Sequence, residues 1–187
     1  MFIQTESTPN PATLKFLPGR QVLSSGTLDM RDEQSAAQSP LAERLFALNG
    51  ISGVFFGSDF IAVTKAGGEW QHLKPAILGV IMEHFMSGAP LLKNADEASA
   101  AEVDEFFAAE DAETVAAIKE LIEARVRPAV ANDGGDITFR GFKDGVVYLD
   151  MKGACSGCPS STATLRHGIQ NLLRHYLPDV IEVRPVA

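Results

Sequence analysis

The chain has 187 residues, of which 45% are hydrophobic and 21% charged, a balance that excludes a largely disordered protein. A net charge of −8 argues against a general nucleic-acid binder, which needs a basic surface to displace counterions, and two cysteines exclude a disulfide scaffold. No apolar run reaches the ~18 residues that cross a bilayer, and Met1 to Ser7 carry neither the basic nor the apolar part of a secretory signal, so neither membrane nor nucleic acid is expected as a partner.

In chain order, Phe2 to Thr5 reads as an opening strand, and Thr8-Pro9-Asn10-Pro11 as a rigid turn because each proline fixes its own φ and restricts the residue before it. Thr13 to Leu17 resumes an extended pattern, closed by Pro18-Gly19. Ser39 is placed to cap a helix that has Pro40 at its first position and Leu41, Leu45 and Leu48 on one face, stopped by Asn49-Gly50. Ile51 to Phe56 and Phe60 to Thr64 read as strands, and a helix follows from Lys74 or Pro75 to Met86 with Ile77, Ile81 and Phe85 on one side. His72 and His84 have no second ligand at useful spacing; His84 is expected at the surface or its boundary, and Trp70, Phe55 and Phe56 in the core. Gly67-Gly68 lacks the Lys-Ser/Thr of a phosphate loop.

The acidity is concentrated. Residues 1–92 carry six basic and eight acidic side chains, residues 93–113 one basic and eight acidic, and residues 114–187 nine basic and eight acidic. The Ala/Glu/Asp-rich stretch 93–113 therefore reads as a solvated linker between two small domains, 1–92 and 114–187. Within it Val103, Phe106 and Phe107 have the spacing of a short helix face that docks on a neighbouring domain.

In the second domain, Glu113 to Arg127 is an amphipathic helix with Val115, Ile118, Leu121, Ile122 and Val126 on one face. Pro128 kinks or ends it unless Ala129 to Ala131 continue the turn, and Asn132 to Asp136 is a helix stop. Ile137 to Arg140 and Val146 to Met151 form a hairpin around Lys143-Asp144-Gly145. A last helix carries Leu165, Ile169, Leu172, Leu173 and Tyr176, and Val180 to Val183 is a final strand. The fold class is α+β in two small domains, the second with the order helix, strand, strand, helix, strand.

Cys155 and Cys158 lie between the hairpin and the last helix. A two-residue gap lets both thiols address one metal centre, and Pro159 suits the first turn of the helix, whose N-terminus favours thiolates. Four readings compete. A mononuclear zinc site would need His167 and His175, but these are about 12 Å apart along one helix and are expected to face solvent. A thioredoxin-type redox pair also sits at a helix start, though normally in an early βαβ unit. Two inert buried cysteines are disfavoured by the flanking glycines and serines. The fourth is half of an iron–sulfur site: such a cluster takes four thiolates and one chain supplies two, so two chains would share it.

The run Arg127-Pro128, Asp133-Gly134-Gly135-Asp136, Gly153-Ala154-Cys155-Ser156-Gly157-Cys158-Pro159-Ser160-Ser161, Thr164-Leu165 and Gly168-Ile169 resembles the NifU-like C-terminal domain of the Nfu iron–sulfur cluster carriers. Thr8-Pro9-Asn10-Pro11, Leu14-Lys15-Phe16, Pro18-Gly19, Ser39-Pro40-Leu41-Ala42 and Asp59-Phe60-Ile61 resemble the Nfu N-terminal domain. The resemblance implies a carrier or scaffold, not an enzyme, that holds a [4Fe-4S] cluster between two subunits and passes it to apo-proteins. It implies Cys155 and Cys158 as the ligands, an upstream cluster donor, iron–sulfur recipient proteins and a cluster-linked homodimer. Lys152 and Arg166 lie close enough in sequence to offset cluster charge, and Asp133 and Asp136 to shape the turn. The expected location is the cytoplasm for a bacterial-type chain, or the mitochondrial matrix for a processed eukaryotic one. The alternative from a different class is a thiol-disulfide oxidoreductase using the same two cysteines.

Overall fold

A computed structural model describes residues 1–94, 104–156 and 159–186, the side chains of 159–161 excepted. The chain forms two compact units, Met1–Ala101 and Glu102–Ala187. In the first unit, strands β1 (Gln4–Ser7), β2 (Thr13–Leu17), β3 (Leu28–Met30), β4 (Ile51–Phe56) and β5 (Ile61–Lys65) make one antiparallel sheet in the order β1-β2-β5-β4-β3. Its helices are α1 (Glu33–Ala36), α2 (Pro40–Phe46) and α3 (Trp70–Ser87). The Asn10 side chain accepts from the Ala12 amide at 3.0 Å and the Thr8 hydroxyl donates to the Thr13 carbonyl at 3.0 Å, which closes the turn between β1 and β2. Ser39 caps α2 by accepting from the Ala42 amide, as its place before Pro40 requires.

Alternation sends Val54 and Phe56 from β4 and Ile61 and Val63 from β5 into one core with Leu41, Leu45, Ile77 and Ile81. Phe55 and Phe56 are both buried. β3 and α1 were not anticipated, because three and four residues are too few to leave a periodic signal. α3 begins at Trp70, upstream of the expected start, with Pro75 inside it. Trp70 is half-buried, and its indole N–H donates to the Pro11 carbonyl at 3.0 Å. His84 departs from the surface position expected of it. It is 2% exposed, and its Nε2 has no hydrogen-bond partner among the described residues. Burial, with Arg44 second, holds its pKa below the usual histidine value.

In the second unit, α4 (Ala112–Leu121), a π-turn (Ile122–Val126) and α5 (Arg127–Asn132) run continuously into β6 (Gly135–Lys143). β7 (Val146–Gly153), α6 (Pro159–Tyr176) and β8 (Glu182–Pro185) follow. β6 pairs antiparallel with β7, and β7 pairs parallel with β8. This is the expected order of elements. The π-turn is how the helix passes Pro128. Proline lacks the N–H for an α-type bond and crowds the carbonyl four residues back, and the wider turn, with the Arg127 amide bonded to the Ile122 carbonyl, makes room. Asp144 (φ 52°) and Gly145 (φ 77°) form the two-residue hairpin turn between β6 and β7. Val115, Ile118, Ile122, Val126, Val147, Leu149, Ile169 and Leu173 are buried together. Tyr176 is not part of that core: it is 46% exposed, and the Arg125 guanidinium lies 5.4 Å from its ring. Among the described residues no helix is long and apolar enough to cross a membrane.

The acidic stretch differs from the helix face expected of it. Val103 lies outside the described residues, and Phe106 is extended, bridged to Gly141 of β6. Its ring meets Tyr148 at 5.1 Å, Glu105 pairs with Lys119, and a single 3-10 turn at Ala109–Asp111 leads into α4. Residues 104–113 therefore share the second unit's packing. A fragment of residues 104–187 is expected to resist urea better than one of residues 114–187 by about 1–2 kcal/mol, the scale of one aromatic pair with its burial. Equal midpoints and slopes would show that the stretch contributes nothing.

Candidate metal centre

β7 ends at Gly153, whose φ of 67° turns the chain back under itself. The Ser156 amide and hydroxyl both bond to the Gly153 carbonyl, at 3.1 and 2.9 Å, and the Thr162 hydroxyl from the first turns of α6 donates to the Cys155 carbonyl at 2.9 Å. These bonds fix the backbone that carries Cys155. Cys158 lies outside the described residues, as does Gly157.

Cys155 is 6% exposed and packs in the core of the second unit, contrary to the exposure its glycine and serine neighbours suggested. The cause lies elsewhere in the chain. The Ala154 amide donates to the Gly134 carbonyl at 3.1 Å, so the Asn132–Asp136 corner forms the floor of the cysteine turn. A Cβ on Gly135 would stand 2.8 Å from the Cys155 sulfur and 2.6 Å from the Lys152 carbonyl oxygen. The thiol occupies the space that a side chain at 135 would need. Burial, then the charges of Asp133 and Asp136, push the Cys155 thiol up to about 12 from an ordinary 9.0. In this conformation those effects outweigh the thiolate-favouring pull expected of the helix start.

Beneath the turn, Asp136 is 4% exposed and receives a two-pronged bond from Arg127, Nε to Oδ1 at 2.9 Å and Nη2 to Oδ2 at 3.0 Å. The Ile137 amide also donates to Oδ1, at 2.8 Å, and Glu123 accepts from Arg127 Nη1. The hydrogen bond to Asp136, the largest cause, raises the Arg127 pKa above its usual value. Lys152 and Arg166 are half-buried, and Arg166 adds to the stronger pull of Arg184 in lowering the Glu182 pKa. His167 and His175 are exposed, as expected. Among the described residues no group of three His, Cys, Asp or Glu side chains is placed to hold a metal ion.

Three contributors were missed from sequence: Gly135 as the seat of the sulfur, the Arg127–Asp136 pair, and Thr162. The Asp-Gly-Gly-Asp run marked a turn, but nothing local told that it lies against residues 154 and 155.

These features define a two-unit α+β protein whose second unit presents a cysteine turn between a strand and a helix. Residues 3–88 match the family model described as scaffold protein Nfu/NifU N terminal, and residues 118–184 match the NifU-like domain. The chain is 49% identical over 188 residues to the human "NFU1 iron-sulfur cluster scaffold homolog, mitochondrial", covering 100% of this chain and 72% of that protein. It is 50% identical to the protein of the same name from Drosophila sechellia, over 100% of this chain and 65% of that one. It is also 50% identical to "NifU-like protein 4, mitochondrial" of Arabidopsis thaliana, over 96% of this chain and 64% of that one. The chain belongs to the Nfu/NifU-like family, and it spans just under two thirds of the Drosophila and Arabidopsis relatives.

Two outcomes follow from the seat of Cys155. In a Cys158→Ser protein, iodoacetamide should modify Cys155 at pH 8 at least about tenfold more slowly in the folded than in the urea-unfolded chain, because the reactive form is the thiolate. The thiol's contribution to stability is complete below its unfolded pKa near 9.0 and falls as pH rises toward its folded value of about 12, since only the unfolded chain has then lost the proton. Equal alkylation rates in both states would show that the burial is not maintained in solution. Gly135→Ala should destabilise the second unit by about 1–3 kcal/mol through overpacking, and should raise the folded-state alkylation rate of Cys155 as the sulfur is displaced. An unchanged rate and stability would show that the close approach is relieved at no cost.

Proposed function

We propose that this chain is an iron–sulfur cluster carrier, not an enzyme, and that Cys155 and Cys158 are the two ligands each copy contributes. The observation that carries this reading is the cysteine turn at the start of α6 in a chain about half identical, along its whole length, to proteins named iron–sulfur cluster scaffolds. The cluster is cargo. A [4Fe-4S] cluster takes four thiolates, and the chain has two cysteines, so two copies share one cluster. Transfer is ligand exchange. Iron–sulfur bonds to Cys155 and Cys158 break as thiolates of a recipient apo-protein bond to the same irons, with no change of oxidation state.

Loading requires Cys155 to lose a proton and to turn out of its seat over Gly135. Thr162 and Ser156 hold the turn's backbone to neighbouring elements while the side chain reorients. Upstream donor and downstream recipient therefore meet the turn from its solvent side. The thiol-disulfide alternative would use the same two cysteines, and the names of the similar proteins give it no support. The relatives carry the word mitochondrial in their names, which favours the mitochondrial over the cytoplasmic location for this chain.

Anaerobic reconstitution tests the reading. A brown product with one cluster per two chains, about two irons per chain on the four-thiolate count, is expected, and sedimentation should show that iron removal shifts dimer to monomer. Cys155→Ser and Cys158→Ser should each abolish colour and dimer. A monomer with four irons, or a Cys158→Ser protein with a full cluster, would overturn the shared site.

A further inference from the structure

The acidic stretch does more than join the units. At β6 the pairing with β7 slips between Phe139 and Gly141, so Arg140 has no opposite residue. The Arg140 carbonyl accepts the Phe106 amide at 3.1 Å, and the Phe142 amide donates to the Phe106 carbonyl at 2.9 Å, a parallel bridge on the outer edge of the sheet. The Phe106 ring lies on the bare backbone of Gly141, where a Cβ would come within 2.4 Å of Cζ. Tyr148 flanks the ring at 5.1 Å, and Lys119 pairs with Glu105. The seat thus has a backbone edge, a glycine platform, an aromatic wall and a cation. The segment in it is extended, with a carboxylate immediately before an aromatic residue.

We propose that this edge is a peptide-docking seat filled by the chain's own residues 104–107, and that its other occupant is an extended acidic-aromatic segment of a protein partner, running parallel to β6. The resident segment itself shows the chemistry the seat takes. Its hold is slight: one bridge of two hydrogen bonds, a ring still 44% exposed, and an ion pair whose partners are 42% and 28% exposed. What keeps it in place is the short connection to α4, which raises its effective concentration. A partner segment that repeats the carboxylate and aromatic, and adds edge bonds beyond one bridge, displaces it by β-strand addition. Gly141 lies six residues along β6 from Gly135, roughly 20 Å at about 3.3 Å per residue, so a segment docked there leaves the Cys155 turn uncovered. The inference does not depend on what Cys155 binds.

The test uses the full chain and a capped peptide, Glu-Val-Asp-Glu-Phe-Phe-Ala-Ala, copied from residues 102–109. In Phe106→Ala protein the peptide should move the amide resonances of Gly141, Phe142 and Lys119 saturably. In the wild type the same titration should be at least tenfold weaker, because the resident segment competes. Glu105→Lys, which loosens the segment without touching its rings, should fall between the two and guards against misfolding of the first variant. A peptide with both Phe replaced by Ser should move nothing. The proposal is overturned if the peptide leaves those resonances of Phe106→Ala and Glu105→Lys unmoved, if it moves them equally in the wild type, or if the Ser peptide binds as well.

Discussion

The second unit depends on one ion pair whose carboxylate is buried and whose guanidinium is half-buried. Asp136 is the second residue of β6 and Arg127 the first of α5, and their two-pronged bond ties the end of the long helix to the start of the sheet. A carboxylate 4% exposed is costly unless every lone pair is occupied, and here Arg127 and the Ile137 amide share the work. Removing Arg127 would leave the buried Asp136 carboxylate with the Ile137 amide but without its cation, whereas removing Asp136 would leave Arg127, half-buried, still bonded to Glu123, so loss of Arg127 is the costlier change. The bond also sets geometry. It determines how the chain leaves α5, hence where Gly134 and Gly135 lie, hence whether there is room above them for a sulfur. Asp136 adds the third effect, a charge near enough to Cys155 to help keep its thiol protonated.

Arg127 stands between the π-turn and the proline that the turn accommodates. The π-turn ends at Val126, immediately before Arg127, whose amide bonds to the Ile122 carbonyl. From that position its guanidinium bonds both Glu123 and Asp136. Pro128, the π-turn and the cation of the ion pair thus fall within one short stretch of the helix.

Most elements of this second unit were legible because their signals are local. Val115, Ile118, Ile122 and Val126 repeat at helical spacing, Val147, Leu149 and Met151 alternate, and Asp144-Gly145 is a hairpin turn by residue type. The cysteine turn was legible as a position between strand and helix. Its burial was not, because it arises from a contact between residues 135 and 155, twenty positions apart, and glycines beside a cysteine say nothing about what covers it. Phe106 failed for the converse reason. Its spacing from Val103 and Phe107 suits a helix, but an open sheet edge with a bare glycine offers it backbone bonds that an isolated turn of helix cannot match. His84 was misplaced because a histidine on an amphipathic helix carries no mark of which side of the apolar stripe it joins.

A buried, protonated thiol is a poor metal ligand, and on the carrier reading that is an asset. Coordination needs the thiolate, so loading must release the Cys155 proton and lift the sulfur from its seat. Each unit by which the apo fold raises the thiol pKa makes that proton about tenfold harder to remove, and this is subtracted from the binding free energy of the cluster. Here the empty conformation has a stable place for Cys155 to return to. On the carrier reading, the return of Cys155 to the space over Gly135 would add to the pull of a recipient's thiolates when the cluster leaves.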